Sequence, residues 1–230
     1  MKIAAVIPAR SGSKRIPKKN LLKIGNEYLI EKVLKNIKSI SYDMDIFVST
    51  DDEEIKKIVL SNKDIILLER ENQFCDDFSS VIDVLTWHQG MELKDYEIIL
   101  QLYIHSICID GETLEQALKK LMLSNQSSLI SICPLNTPVE WTFKQDSKAL
   151  ISNFKGSENI RSQELGRSYF DAGQFYIYKK EWFIAKDNSF EKSDFYEIKR
   201  YQSIDLDEID DFEILEMNYS FAKSKINALA

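Results

Sequence analysis

The chain predicts an α/β domain of three layers, in which a mostly parallel sheet is covered by helices on both faces. Short apolar runs of strand length alternate with segments whose apolar residues recur at helical spacing, and that β–α alternation calls for a mostly parallel sheet. Its 230 residues suit one domain, 1–230, with an appendage. The balance of 44% hydrophobic and 29% charged residues is that of an ordinary globular chain.

Ile3 to Ile7 reads as the first strand. Leu29, Ile30, Val33, Leu34 and Ile37 then mark one helical face. Asp45 to Ser49 is the second strand, and a charged helix follows from about Asp52. Ile65 to Leu68 is a third, short strand; Val81 to His88 is helical, and Glu97 to Leu102 is again strand-like. Leu114, Ala117, Leu118, Leu121 and Met122 form another helical stripe before the strand Leu129 to Cys133. The alternation then breaks. Residues 136–167 are polar and irregular, which marks a protruding arm, a hairpin or an oligomer contact. Gly173 to Tyr178 returns to strand character, and Asp210 to Ala230 is an amphipathic helix with Phe212, Leu215, Tyr219 and Ala222 on one face.

Several function classes are excluded early. No apolar run approaches the ~20 residues of a membrane helix. The short apolar start meets Pro8 and Arg10 too soon for a secretory signal, so a cytoplasmic protein is expected. Cys75, Cys108 and Cys133 are far apart and odd in number, which fits free thiols better than a zinc site or disulfides. A formal charge of −7 argues against a nucleic-acid partner.

Against that acidic background, "AVIPARSGSKRIPKKN" (Ala5 to Asn20) holds five Lys or Arg residues. The loop leaves the first strand at the carboxyl edge, where open α/β sheets bind ligands. Ser11, Gly12 and Ser13 suit an anion nest of backbone N–H groups. Arg10, Lys14 and Lys19 can add charge-assisted hydrogen bonds, and a polyphosphate is the expected occupant. Neither the P-loop nor the Rossmann glycine pattern is present.

The pattern Arg10-x-Gly12-Ser13-Lys14-x-Ile16-Pro17-x-Lys19-Asn20 resembles the signature loop of the CMP-sugar synthetases, the cytidylyltransferases that activate sialic-acid-like nonulosonic acids. The resemblance runs over nearly the whole chain. It implies a nucleotide-diphospho-sugar transferase (Rossmann-like) fold and a loop wrapped around the triphosphate of CTP, with Ser13 and Asn20 fixing it by hydrogen bonds. "VSTDDEEI" (Val48 to Ile55) matches the strand end and acidic pair; Asp51 there is open to either a helix cap or a ligand role. In "LERENQFCDDFSSVIDVL", Arg70 matches a base-contacting arginine, and Asp77 with Ser79 an Asp-x-small element. In "ILQLYIHSICID", Gln101 and Ser106 are retained and expected at the sugar. The usual prolines are missing and His105 stands where a small hydroxyl residue is common. His88 is read as packed on its helix.

"NIRSQELGRSYFDAGQFYIY" looks like the pseudaminic acid branch. There Arg161 is the candidate for the sugar carboxylate, with Asp171 and Gln174 also assigned to the sugar, and the arm is implied to make a homodimer. "SIDLDEIDDFEILE" supplies Asp205 and Asp207, whose alternation in an extended segment puts both carboxylates on one side, where Mg²⁺ is expected; Asp210 and Asp211 start the helix. The implied reaction is CTP plus a nonulosonic acid giving CMP-sugar and pyrophosphate, for surface glycan or flagellin glycosylation. N-acetylneuraminate, legionaminate or 3-deoxy-manno-octulosonate as acceptor, and a catalytically silent nucleotide- or sugar-binding relative, are the alternatives.

Overall fold

In the computed structural model, residues 1–76, 78–156, 160–185 and 192–229 are described. In chain order they form β1 (Ile3–Pro8), β2 (Lys23–Ile24), β3 (Glu27–Tyr28), α1 (Leu29–Lys38), β4 (Asp45–Thr50), α2 (Glu53–Leu60), β5 (Ile65–Glu69), α3 (Val81–Gly90), β6 (Ile98–Leu102) and α4 (Gly111–Leu123). After these come β7 (Ser128–Pro134), β8 (Phe143–Gln145), β9 (Leu150–Ser152), β10 (Tyr169–Lys179), α5 (Lys180–Ala185), β11 (Asp194–Glu197) and α6 (Ile209–Leu229).

Among the described residues seven strands make one sheet, in the order β11-β7-β10-β6-β1-β4-β5. β1 pairs in parallel with β4 and β6, and β4 with β5, so the early βα units form a parallel half. β10 enters antiparallel between β6 and β7, and β11 adds in parallel to β7. Every residue of β1 is buried, because helices cover both faces. Its alternate side chains feed two cores. Ala5 and Ile7 join the larger one with Val33 of α1, Ile55 of α2, Leu118 of α4 and Leu215 of α6. Ala4 and Val6 join the smaller one with Leu85 of α3 and Trp182 and Phe183 of α5.

Local chemistry fixes the helix starts. Asp52, not Asp51, caps α2: its Oδ1 accepts from Glu54 N at 3.0 Å. Ser80 and Asp83 form a reciprocal capping box at α3. Asp110 caps α4 through Thr113 N at 2.8 Å. β10 begins four residues before the expected Gly173, at Tyr169, and its register against β7 shifts between Asp171 and Tyr176. Gly173, at φ +60°, occupies that irregularity. The hairpin β8–β9 lies outside the main sheet, with Phe143, Leu150 and Ile151 exposed. No described helix is long and apolar enough to cross a membrane.

Candidate active site

The basic loop leaves the carboxyl end of β1 and is fastened at several points. Ala9 N donates to Ser49 O at 2.8 Å, and Thr50 Oγ1 donates back to Ala9 O at 2.6 Å. Ser11 donates twice to Asp51, from N to Oδ1 at 2.8 Å and from Oγ to Oδ2 at 2.6 Å. Burial alone would raise the Asp51 carboxyl, but the Ser11 bonds outweigh it and hold it below its usual range. Asp51 therefore moors the loop instead of capping α2. Asn20 Nδ2 donates to Arg10 O at 2.6 Å, so its amide braces the loop from beneath. Lys18 takes a left-handed φ of +57° to turn the chain back. Arg10 folds over the loop, donating to Gly12 O at 3.2 Å and to Asp76 O.

Two adjoining clefts open here. One, of ≈310 Å³, is lined by Arg10, Ser13, Lys19, Arg70, Ser79 and Tyr103. The other, of ≈290 Å³, shares Arg10, Ser13 and Lys19, adds Gly12 and Lys14, and is closed by Arg15 and Asp207. Most of the expected phosphate and base residues thus meet in one continuous depression. Ser11 lies outside both linings, with both donors committed to Asp51. Burial lowers the Lys19 pKa, while Asp205 and Asp207 pull it back up, and Lys19 shares the lining of the second cleft with Asp207. Asp77 lies outside the described residues.

The acidic pair sits just before α6. Arg15 Nη2 and Asp207 Oδ1 form an ion pair at 2.5 Å. Asp211 Oδ2 accepts from Asp207 N at 2.9 Å and Glu208 N at 2.6 Å, tying down the helix start. Asp205 Oδ1 lies 3.5 Å from His105 Nε2, and its side chain is about half exposed (56%). No group of three or more His, Cys, Asp or Glu side chains gathers to hold a metal among the described residues. Asp207 lines the second cleft and Asp205 lies outside the linings of both, so one carboxylate at the cleft is present for Mg²⁺, which takes one or two carboxylates and completes its shell with phosphate and water.

The residues expected at the sugar divide. Gln101 is buried, and among the described residues its Nε2 has no hydrogen-bond partner. It lines a cavity of ≈220 Å³ with Val81, Tyr103, Tyr176, Tyr178 and Trp182, and Val81 and Tyr103 also line the first cleft. Ser106 does not face a cleft: it is buried and its hydroxyl donates to Gln174 O at 2.6 Å. Gln174 is buried too, its Nε2 bonding Ala172 O at 3.1 Å and Ile204 O at 3.0 Å, so it ties β10 to the segment carrying Asp205. Asp171 accepts from Gly173 N at 3.0 Å and Tyr176 OH at 2.7 Å and braces the irregularity in β10. These two bonds tie Asp171 within the strand. Arg161 is exposed in the segment beyond β9, outside the linings of both clefts. His105 is buried, stacks on Tyr103 at 5.3 Å and donates from Nε2 to Gly173 O at 3.1 Å; burial pushes its pKa down to about 4.

The profile of the cytidylyltransferases matches residues 4–223. The chain belongs to the cytidylyltransferase family. It is 27% identical to the pseudaminic acid cytidylyltransferase of Campylobacter jejuni subsp. jejuni serotype O:2, over 95% of this chain and 97% of that one. It is also 27% identical to an N-acylneuraminate cytidylyltransferase of Streptococcus agalactiae serotype V, over 92% of this chain and 52% of that one. In fold it resembles CMP:2-keto-3-deoxy-manno-octonic acid synthetase solved with CTP, at a TM-score of 0.71 and 19% identity, covering 97% of this chain and 100% of that one.

Two features of this cytidylyltransferase escaped the sequence reading. Arg15 was one cation among five, and only the fold brings it to Asp207, 192 residues away. His88 is not merely packed: it is fully buried and hydrogen-bonded at both ring nitrogens, to Ser49 and Glu92. The only sequence signal was a histidine on an otherwise apolar helix face.

Proposed function

We propose that the enzyme transfers CMP from CTP to a nonulosonic acid, with pseudaminic acid as the acceptor. The observation that carries this is the cleft at the end of β1, where Arg10, Ser13, Lys14 and Lys19 of the basic loop face Asp207 of the acidic pair. Arg10, Lys14 and Lys19 bind the triphosphate, and Ser13 contributes its hydroxyl. Arg70 reads the cytosine ring. The acceptor lies toward Gln101 and the aromatic cavity that adjoins the nucleotide cleft. The pseudaminate assignment draws on the likeness to the Campylobacter protein and on the Asp171–Tyr176 sequence; an N-acylneuraminate acceptor is the second reading, favoured by the likeness to the streptococcal protein.

The anomeric hydroxyl of the sugar attacks the α-phosphorus, forming the new O–P bond as the bond to the pyrophosphate oxygen breaks. The hydroxyl proton passes to water. Arg10, Lys14 and Lys19 stabilise the charge that builds on pyrophosphate, and the fastened loop orients it for in-line departure. Asp205 and Asp207 would hold Mg²⁺, which when bound supplies Lewis-acid polarisation of the phosphate. The exposed apolar side chains Phe143, Leu150, Ile151 and Phe154 support a homodimer built on this arm, from which Arg161 reaches a sugar carboxylate. Three cysteines free of disulfides support a cytoplasmic setting, where CMP-sugars for surface glycans or flagellin are made.

The test is pyrophosphate release from CTP with Mg²⁺, comparing pseudaminate, legionaminate and N-acetylneuraminate. EDTA and the double change Asp205→Asn with Asp207→Asn are expected to abolish it. Release with N-acetylneuraminate alone would replace the acceptor; full turnover by the double variant would remove the metal assignment.

A further inference from the structure

A line of hydrogen bonds starts at the surface and ends in the nucleotide cleft. His88 Nδ1 meets Glu92 Oε2 at 3.0 Å, His88 Nε2 meets Ser49 Oγ at 3.0 Å, and Arg70 Nε donates to the same Ser49 Oγ at 3.2 Å. Ser49 and His88 are both fully buried. Arg70 lines the cleft beside Arg10, Lys19 and Ser79. We propose that Glu92, His88 and Ser49 are positioning residues that hold the Arg70 guanidinium in the orientation that reads the cytosine ring; this rests on the nucleotide reading given above.

Only one arrangement of protons satisfies every group. Arg70 Nε–H can only donate, so Ser49 Oγ accepts from it. An ionised Glu92 can only accept, so His88 carries its proton on Nδ1. His88 Nε2 is then a lone pair, and the Ser49 hydroxyl proton points to it. Charging the imidazole would place a second donor against Ser49 Oγ and a second cation near Arg70. Burial and Arg70 both hold His88 neutral against the pull of Glu92. Each link therefore fixes the direction of the next.

The relay ends where orientation matters. Ser49 lies near the end of β4, and its carbonyl already holds Ala9 N at the root of the basic loop. With Nε occupied, the Nη edge of Arg70 is the part left to meet a ligand; its Nη groups make no hydrogen bond to a described residue. A planar guanidinium held at one corner presents a fixed fork, whereas an unheld one must be ordered by the ligand at an entropic cost. The N3 and O2 acceptors of cytosine suit such a fork. Uracil carries a proton on N3 and would face it with a donor. The relay thus bears on affinity for CTP and on discrimination against UTP, and leaves the phosphoryl transfer itself alone.

The experiment compares Ser49→Ala, His88→Leu, His88→Gln, Glu92→Ala and Arg70→Lys in the full chain. It measures CTP and UTP affinity by calorimetry, KM and kcat, and Tm for each. Ser49→Ala and His88→Leu are expected to weaken CTP binding about tenfold, the effect of one hydrogen bond to a charged group, with kcat at saturating CTP within about threefold of wild type. The CTP-over-UTP preference falls with it. His88→Gln, whose Oε1 can replace the Nε2 lone pair, recovers most of the affinity. Glu92→Ala, at the exposed end, keeps the fold and gives an intermediate loss, so the proposal stays testable if the buried variants fail to fold. Nitrogen NMR of the two histidines checks the tautomer. A proton on His88 Nε2 would overturn the relay, as would lowered Tm with unchanged CTP affinity and CTP/UTP ratio in Ser49→Ala and His88→Leu. If Arg70→Lys abolishes the preference while those two keep it, the relay alone falls. If Arg70→Lys itself changes nothing, the base-reading role falls and takes the relay with it.

Discussion

Cutting the mooring between Asp51 and Ser11 should loosen the nucleotide loop without removing any cation from it. Asp51→Ala deletes two hydrogen bonds, at 2.8 and 2.6 Å, that a charged carboxylate accepts from Ser11. A hydrogen bond to a charged group is worth about 1.5–3 kcal/mol, but Ser11 is exposed and water takes over part of each bond, so about 1 kcal/mol apiece is the working figure. Together that is about 2 kcal/mol, or roughly 30-fold in the population of the ordered loop. The KM for CTP should rise about 10- to 30-fold, with kcat at saturating CTP changed much less. Asp51 also lies near Arg70, so Ser11→Ala is the cleaner companion. It removes only the Oγ bond and should cost about fivefold in KM. The pH dependence has a definite sign. The folded carboxyl is held below its usual value of 3.8, so the mooring is fully present above that pH and is lost as the pH falls through the lower folded value. The difference between wild type and Asp51→Ala should be flat through neutral pH and vanish in strong acid. Steady-state kinetics with CTP varied at fixed sugar measures the effect. A KM for CTP within twofold of wild type in Asp51→Ala would refute the reasoning.

Three further changes test the frame around the site. At Gly111, the first residue of α4, a Cβ would sit 2.2 Å from Ser39 Oγ and 3.1 Å from Asn36 O, so Gly111→Ala should cost about 1–3 kcal/mol and lower Tm by several degrees in calorimetry. Adding Ser39→Gly should recover part of that, because only the hydroxyl contact is relieved. Tyr176→Phe removes the donor to Asp171 Oδ2 at 2.7 Å and should cost about 1–2 kcal/mol in urea unfolding, whereas an unchanged midpoint would show that Asp171 does not depend on it. Leu150→Asp with Phe143→Asp should shift sedimentation from dimer to monomer, and a wild type that is already monomeric removes the arm from the assembly altogether.

The parallel half of the sheet was readable because each of its strands is an apolar run followed by a helical segment. β10 was harder. Its stretch Gly173 to Tyr178 showed as a strand, but nothing in a period-two pattern says that it runs antiparallel or sits between β6 and β7. The basic loop and the acidic pair were visible as clusters of charge, which local sequence reports directly. The roles of Ser106, Gln174 and Asp171 were not. Each makes hydrogen bonds to the backbone, Asp171 adds one from Tyr176 of its own strand, and Gln174 Oε1 has no partner among the described residues. Polar type alone does not separate a residue that faces a ligand from one that fastens the wall behind it. Arg15 and His88 show the opposite failure, because their partners lie 192 and 39 residues away and exist only in the folded chain.

His105 replaces the small hydroxyl residue that the family resemblance expects, and the structure gives it a structural task. Its ring stacks on Tyr103, and its Nε2–H is spent on the carbonyl of Gly173, the residue that turns with positive φ inside β10. A short hydroxyl side chain would leave the volume beneath Tyr103 unfilled, and a core penalises such voids. Among the described residues His105 Nδ1 has no partner, so a second proton would bury an unpaired N–H. The ring therefore stays neutral next to Asp205. A charged imidazole 3.5 Å from that carboxylate would already satisfy it, whereas a neutral one leaves its charge available to a cation or to Lys19. The departure from the family pattern thus alters how the wall is packed and preserves the electrostatics that the cleft needs.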